Sequence, residues 1–113
     1  MAEWNVIFYR TTADNRPARE LILNQNPEKR QKIESYLIEL RTKGNMIDRS
    51  ISKKISGNIF ELKVSDIRLF YYFGNFNYIV VVHAVVKKRQ ELDSKDIKLA
   101  EKNRKDYINR FNI

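Results

Sequence analysis

Hydrophobic and polar positions follow two different periods along this chain, and each period predicts a type of secondary structure. Four segments are apolar runs or alternate with a period of two, as β-strands do. They are residues 4–9, 59–64, 67–73 and 78–86. The last three are joined by short connections at residues 65–66 and 74–77, whose residue types favour turns, so we expect an antiparallel meander.

Two helices are predicted between the first strand and the meander. Pro17 fits the first turn of a short helix that continues through residues 19–24, because an N–H at that position would have no helical partner. Asn26 and Pro27 are typical of the cap and first turn of a second helix, and Gly44 is typical of its end. Its apolar positions have the helical spacing i, i+3, i+4, i+7; they are Ile33, Tyr36, Leu37 and Leu40.

A final helix is expected to begin at Asp93 or Ser94, and residues 45–58 are interpreted as a loop. The resulting order is β-α-α-β-β-β-α. It predicts an α+β fold in which a small antiparallel sheet packs on a helical hairpin, with residues 1–113 forming one domain.

Composition narrows the classes of protein to which the chain can belong. It contains no cysteine, which excludes disulfides, thiolate zinc sites and cysteine nucleophiles. Residues 69–86 are uncharged, but the polar turn in their middle favours a hairpin over a membrane span. Residues 1–10 lack the pattern of a signal peptide, so we expect a cytoplasmic protein. The motifs of NTPases, zinc hydrolases and serine hydrolases do not occur.

The net charge of +8 is concentrated in two segments. Residues 1–40 are balanced, and residues 69–86 carry no charge. Residues 41–68 and 87–113 each carry an excess of +4. Because these two segments flank the uncharged hairpin, their cations can converge at its ends and form a surface for nucleic acid or another acidic partner.

The alternation of the strands selects the side chains that share this surface. One layout brings together Lys63, Arg68, Lys87 and Lys88 around one rim, where Lys54 could join them. The face of the last strand that carries His83 is expected to carry Ile79, Val81 and Val85 as well, and to continue to Lys87. A one-residue change of register would reverse these assignments.

Each candidate also has a structural interpretation. Arg68 could form an ion pair with Glu61 across the hairpin, which we favour for Glu61 over a role as a base. His83 could be a structural residue of a Val-rich strand, although it is the one side chain expected to titrate near neutral pH. Lys87 could simply end a strand in solvent. Tyr72 is expected to pack in the core or, alternatively, to stack on a base.

Several short motifs follow one another along the chain. The opening strand runs from Trp4 to Tyr9, the second helix ends at Lys43-Gly44, and a final helix closes the sequence. Four further motifs lie between the last two of these: Lys53-Lys54-Ile55-Ser56-Gly57, Ile59-Phe60-Glu61-Leu62-Lys63, Arg68-Leu69-Phe70-Tyr71, and His83-Ala84-Val85-Val86-Lys87-Lys88 with Gln90. The order and spacing of these motifs resemble the RelE/HigB group of toxins, from bacterial and phage-derived type II toxin–antitoxin systems.

The resemblance implies a metal-independent endoribonuclease without cofactors that cleaves mRNA on the ribosome, arrests growth and forms a complex with a cognate antitoxin. Carried over by position, its catalytic residues are Lys54, Lys63, Arg68, Lys87 and Lys88, with His83 ranked after them. Lys53, Arg89 and Tyr72 are expected to bind RNA. No metal ligands and no association with a membrane are expected.

Two positions depart from the pattern of the group. Lys63 stands where an arginine is usual, and lysine does not offer the planar fork that binds a phosphate through two hydrogen bonds. Val85 stands where a phenylalanine is usual. Two alternatives therefore remain open: a ParE-like toxin that inhibits DNA gyrase without cleaving RNA, and an inactive module that only binds nucleic acid.

Overall fold

The computed structural model describes residues 3–87 and 93–113, which form five strands and three α-helices. The elements are β1 (Asn5–Phe8), α1 (Pro17–Leu23), α2 (Pro27–Lys43), β2 (Ser52–Ser56), β3 (Ile59–Val64), β4 (Ile67–Phe73), β5 (Tyr78–Val86) and α3 (Ser94–Phe111). The α+β class, the three helices and the bounds of the three meander strands are confirmed.

Helix starts follow the predicted capping chemistry. The Asn26 side chain accepts a hydrogen bond from the backbone N–H of Lys29, and Pro27 occupies the first turn of α2. Asp93 caps α3 by accepting from the backbone N–H of Lys95. At the end of α2, Gly44 has a φ of +54° and lies against the Trp4 indole, so that a side chain at this position would meet both strain and a steric clash.

The sheet differs from the prediction in two respects. Residues 52–56 lie in the segment interpreted as a loop, but they form β2, an antiparallel edge strand paired with β3. The sequence Ser-Lys-Lys-Ile-Ser has one apolar residue, so it gives no alternating signal. In addition, β1 pairs with β5 in a parallel arrangement, which makes the sheet mixed rather than antiparallel. The strand order is β1-β5-β4-β3-β2.

The sheet has a hydrophobic layer on each face. One face packs against α1 and α2, and its core includes Ile33 and Leu40 together with Leu62 and Leu69 of the sheet. The other face packs against α3, whose Ala100 and Tyr107 contact the second core. The expected helical hairpin therefore covers only one side, and the terminal helix covers part of the other.

A β-bulge in β5 reverses the predicted face of His83. Tyr71 pairs with Val81, whereas Phe70 pairs with His83, so Val82 is an extra residue in the strand. Val82 and His83 consequently lie on the same side, facing α3. The prediction that His83 and Val85 share the face of Ile79 and Val81 is wrong for this reason.

Candidate functional site

The candidate site lies on the α3 side of the sheet, beside the part that α3 covers. Residues paired directly across strands share a face, and Lys63 pairs with Arg68 while Lys53 pairs with Glu61. These four side chains line a cleft of about 190 Å³ that Arg49, from the loop before β2, also lines. We call it the basic cleft; its lining residues are Arg49, Ser50, Ile51, Ser52, Lys53, Glu61, Lys63 and Arg68.

The cations of the basic cleft are of two kinds. Lys53, Lys63 and Arg49 are exposed, and none of them forms a salt bridge within residues 3–87 and 93–113. Arg68, by contrast, is only 6% exposed. Its Nη1 donates to the carbonyl oxygens of Ser65 and Ile67, at 2.8 and 3.1 Å. The exposed cations can therefore meet an anionic ligand, whereas Arg68 supports the floor of the cleft.

Glu61 forms the acidic part of this floor and is incompletely paired. It is 4% exposed, and its Oε2 lies 3.9 Å from Arg68 Nε, so the predicted ion pair between the two residues is confirmed at long range. The same Oε2 is buried without a hydrogen-bond partner among the described residues. Because an unpaired buried polar atom is costly, this oxygen is a candidate to interact with a ligand in the cleft.

A second polar cluster joins the end of β5 to the first turn of α3. His83 Nε2 lies 2.8 Å from Asp96 Oδ1, and Lys87 Nζ lies 3.1 Å from Asp96 Oδ2. The His83 ring also stacks on Phe70, with centroids 5.5 Å apart. Burial alone would raise the pKa of Asp96, but hydrogen bonds from His83 and Lys87 and the charges of both hold it below its ordinary value.

This cluster changes the interpretation of two predicted catalytic residues. The side chains of His83 and Lys87 are 16% and 12% exposed, and the carboxylate of Asp96 engages both. Neither residue lines the basic cleft. Lys88 and Arg89, predicted to act in catalysis and RNA binding respectively, lie outside the described residues.

Lys54 lies on the opposite face of the sheet from Lys63 and Arg68. It pairs with Phe60, whose ring packs on the helical-hairpin side. There it lines a pocket of about 330 Å³, which we call the aromatic pocket. The pocket is lined by Asn45, Ile47, Arg49, Ser52, Lys53, Lys54, Phe60, Tyr71 and Phe73. The register thus separates Lys54 from Lys63 and Arg68.

Tyr72, the predicted stacking residue, lies in the core. It is 1% exposed, and Arg104 of α3 lies over its ring at 5.6 Å from the centroid. Burial, with a smaller effect from Tyr107, raises the pKa of Tyr72 to about 12. Its neighbour Tyr71 is equally buried, and its hydroxyl lies 2.7 Å from Ser52 Oγ. Neither ring presents a face on which an RNA base could stack.

Sequence reasoning missed Arg49 as a member of the site. Arg49 lies in residues 45–58, which the sequence predicts as a loop with roles for Lys53 and Lys54 but none for Arg49. Its position before the unpredicted strand β2 brings it to the cleft that Lys53 also lines. The excess of positive charge in residues 41–68 was the one signal that could have identified it. Glu61 was recognised, but its unpaired oxygen depends on side-chain geometry that no sequence pattern encodes.

The described residues contain no cluster of three or more His, Asp or Glu side chains that could hold a metal ion. None of the three helices in residues 3–87 and 93–113 combines the length and the apolar composition needed to cross a bilayer.

The fold is that of the RelE-type toxins. A chain in the crystal structure of an archaeal RelE–RelB complex from Pyrococcus horikoshii OT3 matches with a TM-score of 0.59 at 11% identity, over 77% of this chain and 98% of that one. A chain of the RelBE2 toxin–antitoxin complex from Mycobacterium tuberculosis matches with a TM-score of 0.48 at 17% identity, over 79% and 97% of the two chains. No curated protein sequence matches the chain significantly.

The family follows from the sequence match. Residues 20–105 match the model of the phage-derived Gp49-like proteins (DUF891), and the chain belongs to this family. The resemblance to the phage-derived branch of the RelE/HigB group is therefore confirmed in family and in fold.

Proposed function

We propose that this protein is the toxin of a toxin–antitoxin pair and that it cleaves mRNA in the basic cleft. The observation that carries the proposal is the arrangement of three exposed cations, none of which forms a salt bridge among the described residues, around the buried carboxylate of Glu61. Arg49, Lys53 and Lys63 attract a phosphodiester. Glu61 Oε2, which has no hydrogen-bond partner among the described residues, offers a proton acceptor on the floor of the same cleft.

The proposed reaction uses the nucleophile that RNA itself supplies. The 2′-oxygen attacks the adjacent phosphorus while its proton passes to Glu61 Oε2. The bond between phosphorus and the 5′-oxygen then breaks, and a lysine ammonium of the cleft gives a proton to the leaving oxygen. The products are a 2′,3′-cyclic phosphate and a 5′-hydroxyl end, and no metal ion takes part in these steps.

The cations stabilise the negative charge that grows on the equatorial oxygens of the phosphate. Lys63, which replaces the usual arginine of the RelE/HigB group, makes point-charge contacts rather than a bidentate one. Arg49 is the one exposed arginine of the cleft and can supply the planar fork that Lys63 lacks. His83 and Lys87 then act indirectly, by fixing α3 beside the cleft through Asp96.

The proposed site of action is mRNA on the ribosome in the cytoplasm, as in the RelE/HigB group. A cleft of about 190 Å³ contacts only a few nucleotides, so the ribosome would present the strand to it. The RelE-like fold and the family membership support this part of the proposal.

An antitoxin is the proposed protein partner, since the archaeal RelE chain that matches the fold comes from a complex with RelB. A groove of about 380 Å³ along β1 is suited to an extended, acidic segment of such a partner. β1 is an edge strand, and the N–H groups of Asn5 and Tyr9 bond to the chain of β5. By alternation, the backbone groups of Val6 and Phe8 face the groove and can pair with another strand.

The charges at this groove specify the partner further. Arg10, Arg16 and Arg19 line it together with Tyr107 and Phe111 of α3. No acidic residue lines it, so a segment rich in Asp and Glu fits best.

Induced expression followed by mapping of transcript ends tests the proposed function. Wild-type protein should arrest growth and cut mRNA, and the Lys53→Ala/Lys63→Ala double variant should do neither. Arrest with intact transcripts and blocked DNA supercoiling would support the gyrase alternative instead. The non-cleaving alternative also has an observation in its favour, because Arg68, a predicted catalytic residue, is only 6% exposed and its Nη1 donates to two backbone carbonyl oxygens.

A further inference from the structure

The basic cleft and the aromatic pocket open on opposite faces of the sheet but adjoin at its β2 edge. Arg49, Ser52 and Lys53 line both cavities. The alternation of β2 explains this position, because Lys53 faces the basic cleft while Lys54 faces the aromatic pocket. A ligand that crosses the edge strand can therefore occupy both cavities at once.

The aromatic pocket is chemically different from the cleft. Phe60 and Phe73 are half-buried and pack edge to face, with ring centroids 5.1 Å apart, and Phe60 stacks on the buried Tyr71 at 5.5 Å. Lys54 and Arg49 add positive charge, and no acidic residue lines the pocket. A flat, partly exposed aromatic surface beside cations favours a planar ligand that carries a negative group.

The dimensions agree with such a ligand. The volume of about 330 Å³ lies within the range of roughly 300–1,000 Å³ that is typical of small-ligand pockets. The exposed amide of Asn45, at the end of α2, lies at the same pocket and can hydrogen-bond to the polar edge of a ring.

We propose that the aromatic pocket binds one nucleobase of the RNA strand whose scissile phosphate lies in the basic cleft. The inference rests on the proposed function for the identity of the ligand, and it adds a site that selects the base. The strand crosses β2 with its phosphates on Arg49 and Lys53, one base stacks on Phe60, and Asn45 reads the edge of that base. Lys54 thus serves binding on the far side of the sheet rather than the reaction.

The test measures binding of a short single-stranded RNA that is 2′-O-methylated throughout and so cannot be cleaved. Fluorescence anisotropy compares this RNA with versions in which one nucleotide at a time is abasic. Loss of the base that occupies the pocket should weaken binding to the wild-type protein by roughly tenfold, whereas an abasic nucleotide elsewhere should have a much smaller effect. This comparison alters the ligand alone, so it does not depend on a variant that folds.

The protein side of the test uses Phe60→Leu and Asn45→Ala. In Phe60→Leu, the RNA with the base and the abasic RNA should bind with nearly equal affinity. In Asn45→Ala, the preference among the four bases at that position should decrease while affinity for the abasic RNA stays unchanged. Lys32→Ala removes an exposed cation from α2 and is the matched control. It should leave unaltered both the affinity ratio of the two RNAs and the preference among the four bases.

Three results would overturn the inference. One is that no abasic position in the RNA weakens its binding to the wild-type protein. Another is that the abasic nucleotide weakens binding to Phe60→Leu by the same factor as it weakens binding to the wild-type protein. The third is protection of the aromatic pocket by the partner protein but not by RNA, which would identify a protein-docking surface. If the methylated RNA binds equally well with and without each base, and the unmodified RNA is cleaved, the proposed function stands and the nucleobase site fails. If no free RNA binds, the nucleobase site fails, and cleavage of mRNA on programmed ribosomes decides the proposed function.

Discussion

His83 Nε2 lies 2.8 Å from Asp96 Oδ1, and this contact joins the end of β5 to the first turn of α3. The carboxylate of Asp96 also accepts from Lys87, at 3.1 Å. The residue that stands out most in the sequence, the single histidine, therefore anchors the helix that borders the basic cleft. Its role is structural in this arrangement, and the chemistry lies two strands away.

The first prediction concerns the pH dependence of this anchor. The pKa of Asp96 is lowered in the folded state, because hydrogen bonds from His83 and Lys87 and their charges together outweigh the opposing effect of burial. The ionised carboxylate of Asp96 therefore stabilises the folded protein fully at a pH above the ordinary pKa of 3.8. This stabilisation is lost as the pH falls through the lower pKa of the folded state. Asp96→Asn should lower the free energy of unfolding by about 1–3 kcal/mol at pH 7.

Urea unfolding at several pH values checks this prediction. The difference between wild type and Asp96→Asn should narrow below about pH 4 as the carboxyl group becomes protonated. Asp14→Asn, which removes an exposed carboxylate paired with Arg10, is the matched control and should change stability by less than about 0.5 kcal/mol. A constant difference between pH 3 and pH 7 would contradict the account of Asp96.

The second prediction separates the supporting and the reacting cations of the cleft. Arg68→Ala removes hydrogen bonds to two backbone carbonyls and leaves the buried Glu61 without a cation, so it should destabilise the fold by about 3–5 kcal/mol. Lys63→Ala removes an exposed cation and should change stability by less than about 0.5 kcal/mol, yet lower the cleavage rate by about 100-fold.

Thermal unfolding and cleavage assays on both variants test this separation. Lys32→Ala removes an exposed cation from α2 and is the control for a loss of charge alone. An Arg68→Ala protein that unfolds as cooperatively and at the same temperature as the wild type, but does not cleave RNA, would show instead that Arg68 takes part in the reaction.

The third prediction concerns β2, the strand that the sequence pattern did not reveal. Ser52 Oγ and Tyr71 Oη lie 2.7 Å apart in the core, where both residues are at most 5% exposed. Tyr71→Phe and Ser52→Ala should each cost about 1–2 kcal/mol, because either change leaves the other hydroxyl buried without this partner. The double variant should cost less than the sum of the two. Additive losses in denaturant unfolding would mean that the two hydroxyl groups do not interact.

The fourth prediction concerns the groove along β1. Reversing two charges with Arg16→Glu and Arg19→Glu should weaken the complex with the protein encoded by the adjacent reading frame, mainly through slower association and most strongly at low salt. Lys32→Glu, on α2, is the control. Hydrogen exchange should also show protection of the Val6 and Phe8 amides in the complex. Unchanged affinity together with unprotected amides would place the partner elsewhere.

Local signals were sufficient to predict most elements of the fold. Prolines and caps at Pro17, Asn26 and Asp93 act within one helical turn, and the meander strands are long apolar runs between turn residues. These features depend on neighbours in sequence, so they are visible without the structure. β2 was missed because its side chains are mostly polar and its pairing with β3 provides the stabilisation.

The candidate site was harder to predict because it depends on register. The bulge at Val82 inserts one residue into β5 and reverses the face of His83, and the alternation of β2 puts Lys53 rather than Lys54 beside Lys63. A period-two argument cannot detect a bulge, since the inserted residue is as apolar as its neighbours. Charge composition identified the right segment of chain but not the right side chains within it.

The central claim is that the basic cleft cleaves RNA by transfer of a proton from the 2′-OH to Glu61. The most direct measurement maps the ends that the purified protein generates on free mRNA with EDTA present and on mRNA held by programmed ribosomes, which need Mg²⁺ to stay assembled. We expect 2′,3′-cyclic phosphate and 5′-hydroxyl ends, and a rate lower by at least about 100-fold for Glu61→Gln, which keeps the shape of the side chain. Intact RNA under both conditions, 5′-phosphate ends, or full activity in Glu61→Gln would contradict the account.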